Sequence, residues 1–319
     1  MVKIQPEIEC AEGRVVRSES SRFLVDDGEQ VVPCRLRGRI KRDTQLQVKS
    51  VVVGDRVLIR LTGPVPHPEA EGIIEEILPR SNLLSRAAAG GGRREQVLMA
   101  NLDRVFIVMS TREPDFNARL LDRFLVGVAH QGLDAVICLN KCELASAAER
   151  IAMISTYREV GYPVLLVSAW EGAGLDRLRE SMRGRTSFFL GPSGTGKSSL
   201  LSKIQPGLEL VTRAVSRLTG KGRHSTTHTE LHSLSFGGYV ADSPGLREFG
   251  LWGVQPLDLA RCFPEFRPYL EDCHYLNCSH SHEPDCGLKQ AVEELRVDPR
   301  RYESYLRILE SIREGKLSF

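Results

Sequence analysis

The sequence predicts a multidomain protein with three folded parts in series: a small antiparallel β-barrel, an α/β domain on a parallel sheet, and a short metal-binding helical part. Short β-type runs broken by Gly, Asp and Pro fill residues 13–84, and strand and helix patterns alternate from about residue 97. A Cys/His cluster follows the last strand. With 319 residues, 41 % of them hydrophobic, the chain can bury a core in two or three domains.

Residues 1–84 are interpreted as an OB-type barrel, because the runs VVVGDRVLI and GIIEEIL alternate around a Gly-Asp turn. A piece of a β-sandwich is the alternative. Residues 85–96, SRAAAGGGRREQ, have the composition of a basic flexible linker. The α/β domain is then predicted over residues 97–255 and the helical part over residues 256–319.

The charge balance excludes a polybasic protein, because the chain has 43 Lys and Arg and 41 Asp and Glu, which gives a net charge of +2. A nucleic-acid surface would have to be local. The densest basic run lies in the barrel region and consists of Arg35, Arg37, Arg39, Lys41 and Arg42. Arg35, Arg37, Arg39 and Lys41 could line RNA phosphates, with a solvated charged face as the alternative. Phe23 is the lone aromatic residue of that region, so base stacking is a minor contribution.

The N-terminus lacks the apolar core of a secretory signal, and no run approaches the roughly 18 apolar residues of a membrane span. We therefore expect a cytoplasmic protein without a membrane partner. In that compartment cysteines stay reduced, so a tight cysteine cluster indicates a metal rather than disulfides.

A phosphate-binding loop is predicted where RTSFFLGPSGTGKSSLLSKI reads as buried strand, glycine-rich turn and helix start. Its glycines let successive N–H groups face phosphate oxygens, with the helix N-terminus behind them. Lys197 is expected at the β- and γ-phosphates and Ser198 at Mg²⁺. The loop residues are Gly191, Pro192, Ser193, Gly194, Thr195, Gly196, Lys197, Ser198 and Ser199.

Two downstream segments predict the switch elements of a GTPase. In DSPG, Asp242 orients Mg²⁺ and the Gly245 amide senses the γ-phosphate. The long polar stretch before it is interpreted as a switch loop in which Thr226 or Thr227, preferably Thr227, reaches Mg²⁺. The beginning of a β-strand is the alternative interpretation of these threonines.

Two upstream segments predict guanine recognition. NKCE places Asn140, Lys141 and Glu143 after a strand, where an NKxD motif reads the base with Asn and the acid while Lys packs on the ring. Glu143 is one methylene longer than the usual Asp. Ser168 and Ala169 end another strand and fit the last GTPase motif. Because an ordinary GTPase begins with its phosphate loop, this order is that of a circular permutation, which leaves strand adjacency intact.

The cluster CHYLNCSHSHEPDC supplies Cys273, Cys278, His280 and Cys286 in a C-x4-C-x-H-x5-C spacing. Three thiolates and one imidazole suit one closed, tetrahedral, structural Zn²⁺ site. His274 and His282 compete for the imidazole position, and Asp285 is a weaker candidate. Metal binding would supply folding energy to a segment with few apolar residues.

Over nearly its whole length the chain resembles the circularly permuted ribosome-maturation GTPases called ribosome small subunit-dependent GTPase A. NKCE, GPSGTGKSS, GRHSTT, DSPGLREFGL, the cysteine cluster and RYESYLRIL carry the resemblance. It implies an OB domain, a permuted GTPase domain and a zinc-binding helical domain. The bound nucleotide is then GTP or GDP. It also implies engagement of the small ribosomal subunit and its rRNA late in assembly, with hydrolysis stimulated by that subunit. We expect the protein to be a monomer.

The catalytic residue is harder to identify from the motifs, because Leu246 follows DSPG where many GTPases have a water-positioning Gln. His224 in the switch loop is the nearest replacement, and a histidine in this context is credited similarly in the resembling family; an exposed loop histidine is the alternative. Two other functions stay open: a P-loop ATPase or kinase with a zinc domain, and an RNA-binding module with a vestigial nucleotide site.

Overall fold

A computed structural model describes residues 10–19, 22–37, 51–62, 71–87, 95–208, 229–242, 251 and 253–315. Several predicted site residues lie outside these ranges: His224, Thr226, Thr227, Gly245, Arg39, Lys41 and Arg42. The side chain of Asp242 lies outside the description too. No described helix combines the length and apolar character that crossing a bilayer requires.

Five strands form the N-terminal barrel: β1 (Cys10–Glu19), β2 (Arg22–Asp26), β3 (Val31–Leu36), β4 (Arg56–Thr62) and β5 (Glu71–Ile77). They pair in the order β1-β2-β3-β5-β4, and β4 returns to β1. Only the β3–β5 pairing is parallel. Alternate β-branched residues fill the interior, including Val15, Val25, Val57, Ile59 and Ile74. Closure in this order confirms the OB-type barrel.

A buried ion pair fixes the turn before β4. Asp55 is fully buried, and Arg80 donates hydrogen bonds to both of its carboxylate oxygens, from Nε at 2.7 Å and from Nη2 at 2.8 Å. The second carboxylate oxygen also accepts the Val52 amide at 2.9 Å. Gly54 has a φ of +89°, and a Cβ there would overlap the Ala100 carbonyl. The turn therefore packs directly against the strand that leads into the next domain.

That strand belongs to a two-stranded sheet of β6 (Leu83–Ala87) and β7 (Glu95–Ala100). Leu84 and Met99 from this pair are fully buried in the core of the α/β domain. Both ends of the predicted 85–96 linker thus lie in strands, while residues 88–94 lie outside the described residues. The domain boundaries themselves stay a prediction.

The α/β domain contains β8 (Arg104–Ser110), α1 (Ala118–His130), β9 (Ala135–Asn140), α2 (Ala147–Glu159), β10 (Val164–Leu166), α3 (Leu175–Met182), β11 (Thr186–Leu190), α4 (Lys197–Ile204), β12 (Glu230–Ser233) and β13 (Tyr239–Asp242). Its sheet order is β10-β9-β8-β11-β13-β12, parallel except for β12. The strands are short, nearly continuous apolar runs, as expected for a sheet covered on both faces. Two buried clusters flank the sheet, one under α1 and α2 and one under α3 and α4.

The barrel and this sheet are continuous, because β1 pairs with β12 at Arg17 and Glu230. The same two side chains form an ion pair at 2.6 Å. Arg14 of β1 also donates to the Thr186 hydroxyl at 2.8 Å and lies over the Tyr239 ring. The barrel therefore attaches to the strand that follows the predicted switch loop.

The C-terminal part contains two 3₁₀ segments, Leu259–Cys262 and Pro264–Tyr269, followed by α5 (Gly287–Glu293) and α6 (Pro299–Arg313). Stacked Phe263 and Phe266 meet the edge of Tyr305 in its core. Arg301 of α6, almost completely buried, pairs with Asp122 of α1 and with Glu265. This pairing joins the C-terminal part to the α/β domain.

Candidate nucleotide site and metal cluster

The phosphate loop lies between β11 and α4 and depends on two glycines. Gly191 has a φ of +144°, and a Cβ there would overlap the Val108 carbonyl. Gly196 has a φ of +89°, and its Cβ would overlap the amide nitrogen of Asn140. Gly196 is also the N-cap of α4 and has no side chain to occupy the first amides of the helix. The helix N-terminus therefore keeps its N–H groups for an anion.

The side chains of the loop divide into structural and ligand-facing groups. Thr195 is fully buried and donates its hydroxyl to the Pro192 carbonyl at 3.0 Å. Lys197 donates from Nζ to the carbonyls of Gly191 and Pro192, each at 2.7 Å. Ser193, Gly194, Ser198 and Ser199 are exposed. The ammonium group therefore lies within the loop, and Ser198 is accessible to a cation.

Asn140, at the end of β9, joins the loop to both base-recognition motifs. Its side chain is 1 % exposed and donates from Nδ2 to the Thr195 carbonyl at 2.8 Å. Its Oδ1 accepts the Ala169 amide at 3.2 Å. Ser168 is fully buried and accepts the Glu171 amide at 2.9 Å, which shapes the turn after β10. Motifs far apart in the sequence therefore meet around one amide side chain.

Glu143 supplies the observation that bears on a bound base. It lies in the 3₁₀ turn Cys142–Leu144, and this turn begins directly after Lys141. Its Oε2 is buried and has no hydrogen-bond partner within the described part of the chain. A buried carboxylate oxygen without a donor is destabilising unless a ligand supplies one. The ring N–H and exocyclic amino group of guanine are such donors, so the residues present fit a guanine nucleotide.

The third phosphate-side element is only partly described. β13 is the parallel neighbour of β11 and ends at Asp242, so the backbone of DSPG begins at the carboxyl edge beside the phosphate loop. Thr227, Gly245 and His224 lie outside the described residues. Their roles at Mg²⁺, at the γ-phosphate and at water stay predictions.

The four predicted metal ligands come together in the C-terminal part. The ligand atoms of Cys273, Cys278, His280 and Cys286 all lie within 4.8 Å of one another. His280 Nδ1 lies 3.4 Å from the sulfurs of both Cys273 and Cys286. His274 and His282 are exposed and lie outside this group. Three soft sulfurs and one imidazole fit a closed Zn²⁺ site.

Hydrogen bonds outside the cluster orient its loop. Glu283 accepts the Ser279 amide at 2.8 Å, the Ser279 hydroxyl at 2.7 Å and the Ser281 amide at 3.1 Å. Burial opposes ionisation of Glu283, but these hydrogen bonds outweigh it and hold the carboxyl pKa well below its usual range. Tyr302 and Tyr305 of α6 donate to the carbonyls of His280 and Ser279 at 2.7 and 2.6 Å. The ligand loop is therefore fixed by α6.

Some contacts of the nucleotide site involve residues that the motifs do not single out. Thr111 and Arg150 hydrogen-bond to the turn that carries Glu143. Thr111 directly follows β8, and residues just past parallel strands tend to lie at the ligand edge of a sheet. That position is the one sequence signal that could have identified Thr111; Arg150 has no comparable signal.

The strand order, the glycine-rich loop and the buried Asn140 define a P-loop GTPase domain in permuted order. Models of the RsgA GTPase family and of the RsgA N-terminal domain match residues 77–252 and 12–65 respectively. The chain belongs to the RsgA GTPase family. The predictions of family, fold class and GTP hydrolysis are thereby confirmed.

Relatives and solved structures agree with this assignment. A small ribosomal subunit biogenesis GTPase RsgA from Gemmatimonas aurantiaca is 44 % identical over 87 % of this chain and 89 % of its own. Its counterpart from Moorella thermoacetica is 40 % identical over 97 % and 99 %. The crystal structure of YjeQ from Thermotoga maritima matches with a TM-score of 0.78 at 31 % identity, covering 95 % of this chain and 98 % of that one. YloQ, a circularly permuted GTPase, matches with 0.75 at 28 % identity and 99 % coverage of both.

Proposed function

We propose that this GTPase binds the small ribosomal subunit and couples GTP hydrolysis to its late maturation in the cytoplasm. The observation that supports nucleotide chemistry is the buried oxygen of Glu143, which has no partner among the described residues. Glu143 lies three residues after Asn140, whose side chain binds the phosphate loop. The subunit as partner is supported by the names of relatives that span nearly the whole chain. A monomer remains our expectation.

In this proposal the phosphate loop binds the β- and γ-phosphates through its amides and Lys197. Ser198 and Thr227 hold Mg²⁺, which neutralises phosphate charge when bound, and Asp242 orients it. Gly245 senses the γ-phosphate. Asn140, Glu143 and the backbone at Ser168 and Ala169 recognise guanine, with Lys141 against the ring. The cysteine cluster holds one structural Zn²⁺, supported by its donor set and geometry.

His224 is proposed to position the attacking water, because Leu246 occupies the place of the usual Gln. Replacement of His224 by Ala should lower subunit-stimulated hydrolysis by about a hundredfold, within the usual range for removal of a general acid–base group. GDP affinity should not change. Normal stimulated turnover by His224→Ala would contradict the assignment.

RNA contact is proposed for both the barrel and the zinc domain, with the barrel as the stronger candidate. Arg35 is exposed on β3, directly across from Arg22 on β2. Arg37 is less available, because it pairs with Glu75, which also binds Arg60. In residues 256–319 acidic side chains outnumber basic ones, so the zinc domain is the weaker candidate for phosphate contact.

Turnover of GTP and ATP, each with and without purified small subunits, tests the proposal. We expect GTP hydrolysis that small subunits stimulate and large subunits do not. Preferential ATP turnover with transfer to an acceptor would instead support a kinase or ATPase. Subunit binding without turnover of either nucleotide would support an RNA-binding module with a vestigial site.

A further inference from the structure

The turn that carries Glu143 is held from two sides by side chains outside the nucleotide motifs. Thr111, at the end of β8, donates its hydroxyl to the Lys141 carbonyl at 2.5 Å. Arg150, in the first turn of α2, donates from Nη1 to the carbonyls of Cys142 and Ala145 at 2.6 and 2.8 Å. The three accepting carbonyls precede and follow Glu143 in the chain. Both ends of the turn are therefore fixed.

This turn has a backbone that requires external support. Lys141 has a φ of +56°, a left-handed conformation that a residue with a long side chain rarely adopts. Its ammonium group also binds the Glu113 carbonyl, which ties it to the loop after β8. The Thr111 amide donates to the Asn140 carbonyl at 3.1 Å. Surrounding contacts thus hold the turn in an unfavourable conformation.

Glu143 makes the position of this turn matter more than an Asp would. Its extra methylene adds one rotatable bond between backbone and carboxylate, and ordering that bond costs free energy on binding. A fixed backbone limits the positions that the carboxylate can reach. Thr111 is fully buried, so it acts through the turn and does not touch the ligand.

We propose that Thr111 and Arg150 are positioning residues for base selection, which hold Glu143 where its carboxylate accepts both the ring N–H and the exocyclic amino group of guanine. This inference rests on the proposed function. It makes the discrimination between purine bases by Glu143 depend on two side chains that lie outside the base motif.

Binding of GDP, IDP and ADP, measured by titration calorimetry, tests the inference. IDP keeps the ring N–H but lacks the exocyclic amino group, and ADP lacks that donor pattern altogether. In Arg150→Met and Thr111→Val we expect GDP affinity to fall about tenfold, the range for losing hydrogen bonds of this kind. ADP affinity should stay unchanged, so the preference for GDP over IDP and ADP shrinks.

Two variants serve as controls. Thr111→Ser keeps the hydroxyl donor and should restore the GDP preference. Arg158→Met removes the same charge from the exposed surface of α2 and should bind like the parent protein. Thermal unfolding of each variant checks folding, and Arg150→Met carries the test if Thr111→Val does not fold.

The outcomes separate the two levels of the proposal. An unchanged GDP-to-IDP preference in folded Arg150→Met, or an equal loss for all three nucleotides, overturns the positioning role. A parent protein that binds GDP and ADP equally overturns guanine recognition itself, and with it the proposed function.

Discussion

At the scale of single residues, Asn140 has the most demanding position in the nucleotide site. Both ends of its amide are used, one as donor to Thr195 and the other as acceptor from Ala169. Its side chain is almost completely buried, so water cannot replace either partner. A substitution therefore affects folding as well as base recognition.

Asn140→Asp should lower the free energy of unfolding by about 2–3 kcal/mol, because it replaces a donor by a buried charge facing a carbonyl. It should also abolish measurable GDP binding. Urea unfolding and calorimetry measure the two effects. Asn117→Asp is the matched control, since Asn117 caps α1 through its side-chain oxygen and Asp caps equally well. Equal stability of the two variants would contradict this reasoning.

Asp298, the N-cap of α6, links stability to pH. The Arg300 side chain and amide, together with the Thr156 hydroxyl, outweigh burial and lower the pKa of its carboxyl to about 2. A depressed pKa adds stability that is complete above the unfolded-state value near 4 and lost as pH falls toward 2. Asp298→Ala should cost about 1–2 kcal/mol at neutral pH, with the deficit shrinking below about pH 4.

Urea unfolding from pH 7 down to pH 3 measures that difference. Asp258→Ala is the control, because Asp258 is exposed and makes no cap hydrogen bond with its side chain. A pH-independent deficit in Asp298→Ala would show that packing, and not the charge, accounts for the effect.

At the scale of elements, the metal loop and α6 depend on each other. Tyr302 and Tyr305 donate to carbonyls of the loop, and the loop contributes mainly its cysteines to the core that contains these tyrosines. Metal ligation is therefore expected to contribute much of the local folding energy.

Cys278→Ser should abolish stoichiometric zinc and make residues 273–286 sensitive to protease, because three ligands no longer close the site. Metal analysis and limited proteolysis measure both effects. Cys262→Ser is the control: Cys262 is buried in the same core but outside the ligand group. Full zinc content in Cys278→Ser would exclude the four-ligand assignment.

Arg301 joins α6 to α1 through buried Asp122 and to the 3₁₀ segment Pro264–Tyr269 through Glu265. Arg301→Met should destabilise this junction by about 3–5 kcal/mol, since the buried carboxylate of Asp122 and the largely buried one of Glu265 lose their counter-charge. Arg307→Met removes an exposed pair with Glu303 from the same helix and should change stability by about 0.5 kcal/mol or less. Chemical unfolding measures the stability of the two variants, and hydrogen exchange measures the protection of their α6 amides. Similar losses in Arg301→Met and Arg307→Met would contradict the buried-pair argument.

At the scale of the whole molecule, one sheet connects the barrel to the strand after the predicted switch loop. The Arg17–Glu230 pair marks that junction, with side chains 38 and 27 % exposed. Arg17→Glu or Glu230→Arg alone should destabilise the protein by about 1 kcal/mol, and the double swap should recover most of it.

A double-mutant cycle on urea unfolding measures that coupling. The same cycle on Arg22 and Glu71, which lie 4.0 Å apart and mostly exposed, should give a coupling near zero. Equal couplings in both cycles would show that the junction pair carries no specific energy.

The sequence predicts the architecture of each domain better than the contacts that join separate elements and domains. The barrel and the permuted sheet are predictable because alternation, buried apolar runs and motif order are local patterns, and the comparisons confirm both. The β1–β12 pairing is not, since it depends on register between separate domains. Thr111 and Arg150 are likewise absent from any motif. Arg301 begins RYESYLRIL, but that motif does not indicate its pairing with Asp122, because such roles depend on which elements pack together.

The permuted strand order also determines how the protein is completed during its own synthesis. The ribosome makes β8, β9 and β10, three neighbouring strands with the base-recognition residues, before the phosphate loop at residue 191 exists. Nucleotide can stabilise only a chain that already contains that loop, so it cannot assist the folding of the nascent first half. Any stability of that half before the loop is made therefore comes from its own packing and from the barrel, and guanine-nucleotide binding becomes available only after residue 191 of 319 has been added.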